Sequence, residues 1–452
     1  MIFVVFIGLV SVRFIIENLG IEGYGIYNVI FGFLGILTFF YNSIIDSCQR
    51  FFSIEVQNKD FNKLSFYFSY SFFSTFIIGI FFILLSETIG IYFVTEYLRF
   101  PLDRTNEIKI IFHILVAGYF IQIITLPFNS LILAFEKIKV FAYISITEVI
   151  LKFIAALILF YSPIEKIILH TLFISSISFF VFLIHFIYCR YVFRDIKIAR
   201  FNDLSDLKAI YVFFSWNLLG ALASVLKNEG TNTILNVFHG PVLNAARGIA
   251  FQLGGVINMF VFNVTQVIKL QIYKYYADLK FNELNELVVK SSKYQFFIVV
   301  LISSPFLFET EFILDLWLKD YPNSAIIFTQ LAIILCLVDS LSYSFMSAVL
   351  ATGKIKVYST VVSGLIMLNI PFSYYFLYYE FLPQIIVVIS ISISIVVFYV
   401  RLYFYSKYYK RSKLKALKAI LVPTVLVLFS SLILPYLILI NQEPSIYRFF
   451  IL

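Results

Sequence analysis

Thirteen runs of apolar side chains, each followed by a short polar connection, dictate what this 452-residue chain can fold into. The runs lie at 2–16, 25–48, 64–86, 108–134, 140–161, 167–189, 210–238, 243–268, 294–318, 325–350, 357–379, 384–405 and 418–440, and a further one opens near Ser445. A helix needs about 20 apolar residues to cross the hydrocarbon layer, and most of these runs have that length. Composition agrees: 61% of residues are hydrophobic and only 13% charged, where a soluble domain carries about 25%. A spanning barrel would show strands of about 10 alternating residues, a pattern missing from these continuous runs. The expected fold class is therefore all-α, a polytopic membrane protein of about 13–14 helices.

Lys and Arg set the orientation. The formal net charge is +8, which in a soluble protein would suggest a nucleic-acid partner. Here the connections within 50–63, 137–139, 190–208, 269–293, 354–356 and 407–418 hold 23 of the 34 basic residues, and the alternate connections hold few. Basic loops remain on the cytoplasmic side, so the charge reports topology and no nucleic-acid partner is expected. The localisation this implies is multi-pass, in a cytoplasmic (inner) membrane. Cys48, Cys189 and Cys336 lie in or at the ends of apolar runs without CxxC pairing, which gives neither a disulfide framework nor a metal site.

The chain also repeats itself. LILAFEKIKVFAYIS, residues 131–145, recurs as AVLATGKIKVYSTVV, residues 348–362, at an offset of 217. Phe61-Asn62 matches Phe281-Asn282, Glu87-Thr88 matches Glu309-Thr310, and Pro163 matches Pro383, at offsets of 220 to 222. Ordered anchors of this kind point to a duplicated unit of about 220 residues. The expected organisation is a six-helix lobe over 1–200, a second over 201–410 and extra C-terminal helices over 411–452. An even number of helices gives parallel repeats, related by a pseudo-twofold axis along the membrane normal. Shifting Met1 by 220 lands on Ala221, inside the matching helix, so the first helix is expected to lack its cytoplasmic half, and the run after Ser445 is too short to cross. The chain is thus read as a fragment or as one with a misassigned start.

No GxxxxGK[ST] phosphate loop, HExxH helix or GxSxG elbow is present, so neither ATP hydrolysis nor the common hydrolase chemistries have their residues. Two bundles of equal orientation with short connections are transporter architecture, and no enzyme activity is expected. A membrane polysaccharide polymerase is the enzymatic alternative, disfavoured because the longest extracytoplasmic loop, 87–107, is short.

Specific stretches carry a resemblance. RFIIENLGIEGYGIYN (13–28), CQRFFSIEVQNKDFNKL (48–64), PFNSLILAFEKIKVFAYISITEVILK (127–152), FSWNLLGALASVLKNEGTNTILNVFHGPVLNAARGIAFQ (214–252) and LATGKIKVY (350–358) resemble the oligosaccharide flippases of polysaccharide biosynthesis. That family lies within the multidrug/oligosaccharidyl-lipid/polysaccharide exporter superfamily. The resemblance implies two six-helix lobes plus a C-terminal pair. It also implies alternating-access export of undecaprenyl-diphosphate-linked repeat units for O-antigen or another surface polysaccharide. Its partners would be the lipid-linked oligosaccharide, membrane lipid, and the polymerase and glycosyltransferases of the same locus.

Charges inside spans cost roughly 2.5 to 3.5 kcal/mol on insertion scales, so each requires a role. A lipid diphosphate calls for fixed cations, and Arg holds phosphate oxygens bidentately at any working pH. Arg247, with Asn244, Ala245, Ala246 and Gly248 around it and no acidic residue three or four positions away, is read as a substrate contact or a membrane anchor. Arg13 is read as a cleft cation or as the partner of Glu17 one turn on, and Glu148 with Lys152 as a structural pair. Lys227 and Glu229, with Asn217, Asn228, Thr231, Asn232 and Asn236, make 210–238 the most polar span, expected to line the cleft with the first helix. The cleft set is therefore Arg247, Arg13, Lys227, Asn217 and Asn232. Asp46, Asp339 and Glu229 are candidates for H+ or Na+ coupling, against a structural role for each, and no other cofactor is expected. The alternative from the same superfamily is a drug or small-molecule exporter, whose cleft would favour carboxylates over Arg and Lys.

Overall fold

The computed structural model describes residues 2–36, 40–162, 165–196, 218, 220–318, 320–354 and 356–441, and every regular element among them is a helix. In chain order these are α1 (Ile2–Ile36), α2 (Tyr41–Asn58), α3 (Phe61–Leu85), α4 (Ile91–Glu96), α5 (Thr105–Ala134), α6 (Ile138–Ile158), α7 (Lys166–Val192) and α8 (Thr231–His239). They continue as α9 (Pro241–Ala277), α10 (Phe281–Phe308), α11 (Thr310–Trp317), α12 (Ser324–Ser340), α13 (Tyr343–Ala351), α14 (Lys356–Met367), α15 (Asn369–Tyr378), α16 (Ile385–Tyr408) and α17 (Lys413–Asn441). Among the described residues, eleven helical segments are long and apolar enough to cross a membrane, as a multi-pass membrane protein requires. The expected run near Ser445 and the whole 210–217 stretch lie outside the described residues.

The first two expected spans meet without a loop. α1 runs from Ile2 to Ile36 and departs from helical geometry only at Gly20, with φ 71° and ψ 169°. Arg13, Glu17 and Glu22 mark that junction as a gap in hydropathy, yet the backbone turns at a single glycine. Gly240, 220 residues later, has φ 79° and ψ −176° and separates α8 from α9 in the same way. Left-handed φ also recurs at Lys59 (56°) and Leu279 (59°), and at Glu136 (55°) and Gly353 (69°). The duplication read from the letters is therefore written into the turns. The third helix of each repeat is deformed at its matching Glu-Thr pair: α3 runs into a π-turn at Ser86–Gly90, and α10 ends at Phe308, with Glu309 as the junction before α11 starts at Thr310.

The chain divides into two compact units, residues 1–244 and 245–452. The division falls after α8 because α8 and the π-turn before it pack on α1. In the first unit α5 is central, flanked by α2, α3 and α7, with α6 against α1. One apolar cluster there gathers Phe52, Leu64, Phe128 and Leu131, and another Ile30, Leu34, Phe112 and Ile123, all buried. In the second unit α10 lies against α12, α13 and α17, and α16 against α12 to α15. Its core holds Leu284, Val288, Phe345 and Tyr405. Large apolar side chains such as Ile77, Phe81, Leu301 and Leu426 are more than half exposed, which in a membrane protein is the surface turned to lipid acyl chains.

Candidate functional site

Among the described residues, the polar stripe expected over 210–238 starts in a widened helical turn. Residues Leu226–Gly230 form a π-turn, and the extra residue shifts Lys227, Asn228 and Glu229 around the axis. Thr231 Oγ1 donates to the Lys227 carbonyl at 2.6 Å, and Thr233 Oγ1 to the Glu229 carbonyl at 2.9 Å.

In the first unit that stripe meets the second half of α1, where glycines clear the space. A β-carbon on Gly32 would stand 2.4 Å from Glu229 Oε2 and 3.2 Å from Asn232 Nδ2. One on Gly35 would lie 3.5 Å from Glu229 Cγ and 3.7 Å from the Tyr119 hydroxyl. Tyr119 donates to the Phe31 carbonyl at 2.9 Å, and Tyr41 donates to the Tyr119 carbonyl at 3.1 Å. Gly25 is tighter still, since its β-carbon would fall 2.0 Å from the Pro241 carbonyl oxygen, so the two backbones touch.

Beyond the carboxylate lies a buried asparagine cluster. Asn244 Nδ2 donates to the Asn232 carbonyl and to Asn232 Oδ1 at 2.7 and 2.9 Å, and Asn236 Nδ2 donates to Asn244 Oδ1 at 3.1 Å. Asn236 Oδ1 in turn accepts the Arg99 backbone N–H at 2.9 Å, while Arg99 Nη1 donates to the Phe238 carbonyl at 2.6 Å. Asn236 and Asn244 are 0% exposed. The cluster clamps the Gly240 turn to the segment after α4, about two helical turns from Glu229 at 1.5 Å per residue.

The remaining expected residues fall elsewhere. Arg13 pairs with Glu17 at 3.5 Å, and Lys152 with Glu148 at 2.6 Å. Asn217 lies outside the described residues, and Asp46 lies on α2. In the second unit Arg247 is 6% exposed, with its guanidinium carbon 4.1 Å from the centre of the Phe251 ring one turn on. Ala245, Ala246 and Ala250 beside it on α9 are fully buried, so small side chains flank the cation along its own helix.

Asp339 sits at the end of α12, where a polar network outside the expected cleft residues surrounds the α12–α13 break. Arg401, on α16, donates through Nη1 to Ser342 Oγ at 2.6 Å, and Ser342 Oγ donates to the Asp339 carbonyl at 3.1 Å. Gln295, 1% exposed, donates to Thr265 Oγ1 at 3.0 Å and accepts from Ser344 Oγ at 3.2 Å. Ser291 donates to Ser344 at 2.8 Å and Ser292 to the Leu341 carbonyl at 2.7 Å. Arg401 lies inside an apolar run, and its charge at that depth was the available signal. No group of three or more His, Cys, Asp or Glu side chains able to hold a metal occurs among the described residues.

These features sit in a known architecture. No protein-family model and no curated protein matches the chain by sequence. By fold it is similar to an inward-facing multidrug resistance MATE family transporter of the MOP superfamily, with a TM-score of 0.74 at 14% identity over 89% of this chain and 94% of that one. An outward-facing transporter of the same description aligns at TM-score 0.61 and 12% identity over 89% and 95% of the two chains. A MOP superfamily transporter from Pyrococcus furiosus, described as having a binding pocket of reversed polarity, aligns at 0.60 and 14% identity over 90% and 96%. The chain thus has the two-repeat fold of these transporters.

Proposed function

We propose that this protein is a membrane transporter that works by alternating access, and that its cargo is a lipid-linked oligosaccharide diphosphate carried from the cytoplasmic to the outer leaflet. The observation that carries this reading is Arg247, a cation 6% exposed on a membrane-spanning helix, among alanines and the Phe251 ring. A charge at that depth is retained where an anion, water or a partner group solvates it. A guanidinium offers two parallel hydrogen bonds to phosphate oxygens. The resemblance of 214–252 to oligosaccharide flippases supplies a diphosphate as the anion. The glycosyltransferases that build the repeat unit and the polymerase that consumes it are the partners this reading requires. The membrane is the bacterial cytoplasmic one.

A second reading, export of a small organic cation, is favoured by Glu229. Its carboxylate lies against the bare Gly32 backbone on a π-turn, a place suited to a proton, a metal cation or a cationic ligand. The same group serves the first reading as a coupling site, together with Asp339 and Asp46.

Deletion of the gene, followed by lipid analysis and by ethidium efflux measured in the same cells, separates the two. Lipid-linked repeat units held on the cytoplasmic side with unchanged ethidium efflux support the flippase. Lost efflux with normal surface polymer supports the exporter.

A further inference from the structure

The second unit contains a polar cavity of about 790 Å³, away from the buried sites above, where three chain connections converge. These follow α9 at 278–280, α13 at 352–354 and α16 at 409–412, and each turns through a left-handed residue, Leu279, Gly353 or Lys410. Four cations line the cavity: Lys280, Lys354, Lys410 and Arg411. One carboxylate, Glu283, lines it as well, and Asp278 stands 3.7 Å from the Lys280 ammonium.

The walls are braced. Tyr408 donates to the Lys354 carbonyl at 3.0 Å, Tyr409 donates to the Ala348 carbonyl at 2.8 Å, and Arg411 donates to Asn282 Oδ1. The Lys354 N–H donates to Thr352 Oγ1 at 3.2 Å. Tyr276, Phe281 and Tyr409 pack edge to face beneath, with ring centres 6.1 to 6.3 Å apart.

Topology alone asks only that cations lie on the cytoplasmic side. It does not ask that four of them face one concavity whose loops are fixed by tyrosines. A cavity of about 510 Å³ in the first unit differs: it is walled by Phe68, Phe72, Phe128, Phe186 and Phe193, and among the described residues its charged lining is Arg190 and Arg194.

We propose that the cavity of the second unit binds a phosphate-bearing anion at the level of the cytoplasmic headgroups. The ammonium and guanidinium groups meet the phosphate oxygens, and the Tyr276, Tyr408 and Tyr409 rings lie at the depth where aromatic side chains favour the interface. The phosphate can come from an anionic lipid or from a soluble cytoplasmic compound, and the two sources are told apart by the probes below.

The test uses the purified full-length protein. In detergent, thermal stability is followed against inorganic pyrophosphate with chloride matching the ionic strength. In nanodiscs of mixed phosphatidylglycerol and phosphatidylcholine, native mass spectrometry counts the retained lipid. Three double variants are compared with the parent chain: Lys354→Gln/Arg411→Gln in the cavity, Lys137→Gln/Lys139→Gln as an equal loss of exposed charge in the first unit, and Lys354→Arg/Arg411→Lys. Each lost charge-assisted hydrogen bond is worth about a factor of ten, so the cavity variant should bind at least about tenfold more weakly. The first-unit variant should bind like the parent, and the swapped-cation variant should recover most of the loss, which also shows that the site folds without its original residues. Preferential retention of phosphatidylglycerol identifies a lipid as the source, and a pyrophosphate shift without lipid preference identifies a soluble phosphate. Equal weakening in the cavity and first-unit variants, or no preference for either probe in the parent chain, overturns the proposal.

Discussion

The carboxylate of Glu229 lies against the α-carbon of Gly32, so closely that a β-carbon there would meet Oε2 at 2.4 Å. Glu229 owes its direction to the π-turn, and Gly32 owes its bareness to the contact, so the two positions form one feature. Gly32→Ala must push the carboxylate aside. Because the obstructing atom ends a flexible side chain, the fold should survive while transport falls. Gly35→Ala, with its nearest neighbour at 3.5 Å, should leave both unchanged. Melting temperature and transport measured on both variants check this.

Gly25 should behave differently, since the obstruction is the Pro241 backbone at 2.0 Å. Overpacking costs about 1–3 kcal/mol where side chains can move, and a backbone oxygen cannot move without its helix. Gly25→Ala should therefore give the lowest melting temperature of the three glycine variants, with low yield from the membrane.

Asn236 accepts the part-buried Arg99 N–H and donates to Asn244 in a fully buried hydrogen bond. Asn236→Ala leaves the buried Asn244 Oδ1 without this donor, at about 1–3 kcal/mol, and the part-buried Arg99 N–H without its acceptor at a smaller cost. Thermal unfolding should show a clear loss. A double-mutant cycle with Asn244→Ala should show coupling, because either single variant already removes the Asn236–Asn244 hydrogen bond.

The organisation was legible from the letters because duplication preserves turns: the KIKV segments flank Glu136 and Gly353, both left-handed. The polar stripe at 227–236 was legible because several charges and amides fall together within one apolar run. What faces it was not. Gly32, Arg99 and Asn244 come from three distant segments, and nothing local marks Gly32 as the glycine that meets Glu229. Arg401 and Gln295 went unmarked for another reason: a single polar residue among Tyr, Phe and Val barely lowers the hydropathy of a window. Its role appears only with Ser342 or Thr265 beside it.

Arg401→Met should keep the bulk of the side chain yet strip Ser342 of its donor at the α12–α13 break. Arg401→Lys keeps the charge and can keep that hydrogen bond. Stability should fall more in the first than in the second, read by thermal unfolding in detergent.

Orientation follows from the loop charges. With Cys48, Cys189 and Cys336 all buried, background labelling should be low. Cysteines at Lys280 and Lys410 should resist an impermeant maleimide in intact cells, and one at Asn323 should react. The reverse pattern would overturn the charge argument.

The most direct measurement is leaflet translocation in proteoliposomes loaded with a fluorescent lipid-diphosphate oligosaccharide, read as the fraction that an impermeant quencher reaches over time. The parent protein should raise that rate above protein-free vesicles, Arg247→Lys should retain part of the gain, and Arg247→Ala should abolish it at matched protein content. Translocation by Arg247→Ala at the parent rate, or none by the parent protein while it moves ethidium, would contradict the assignment.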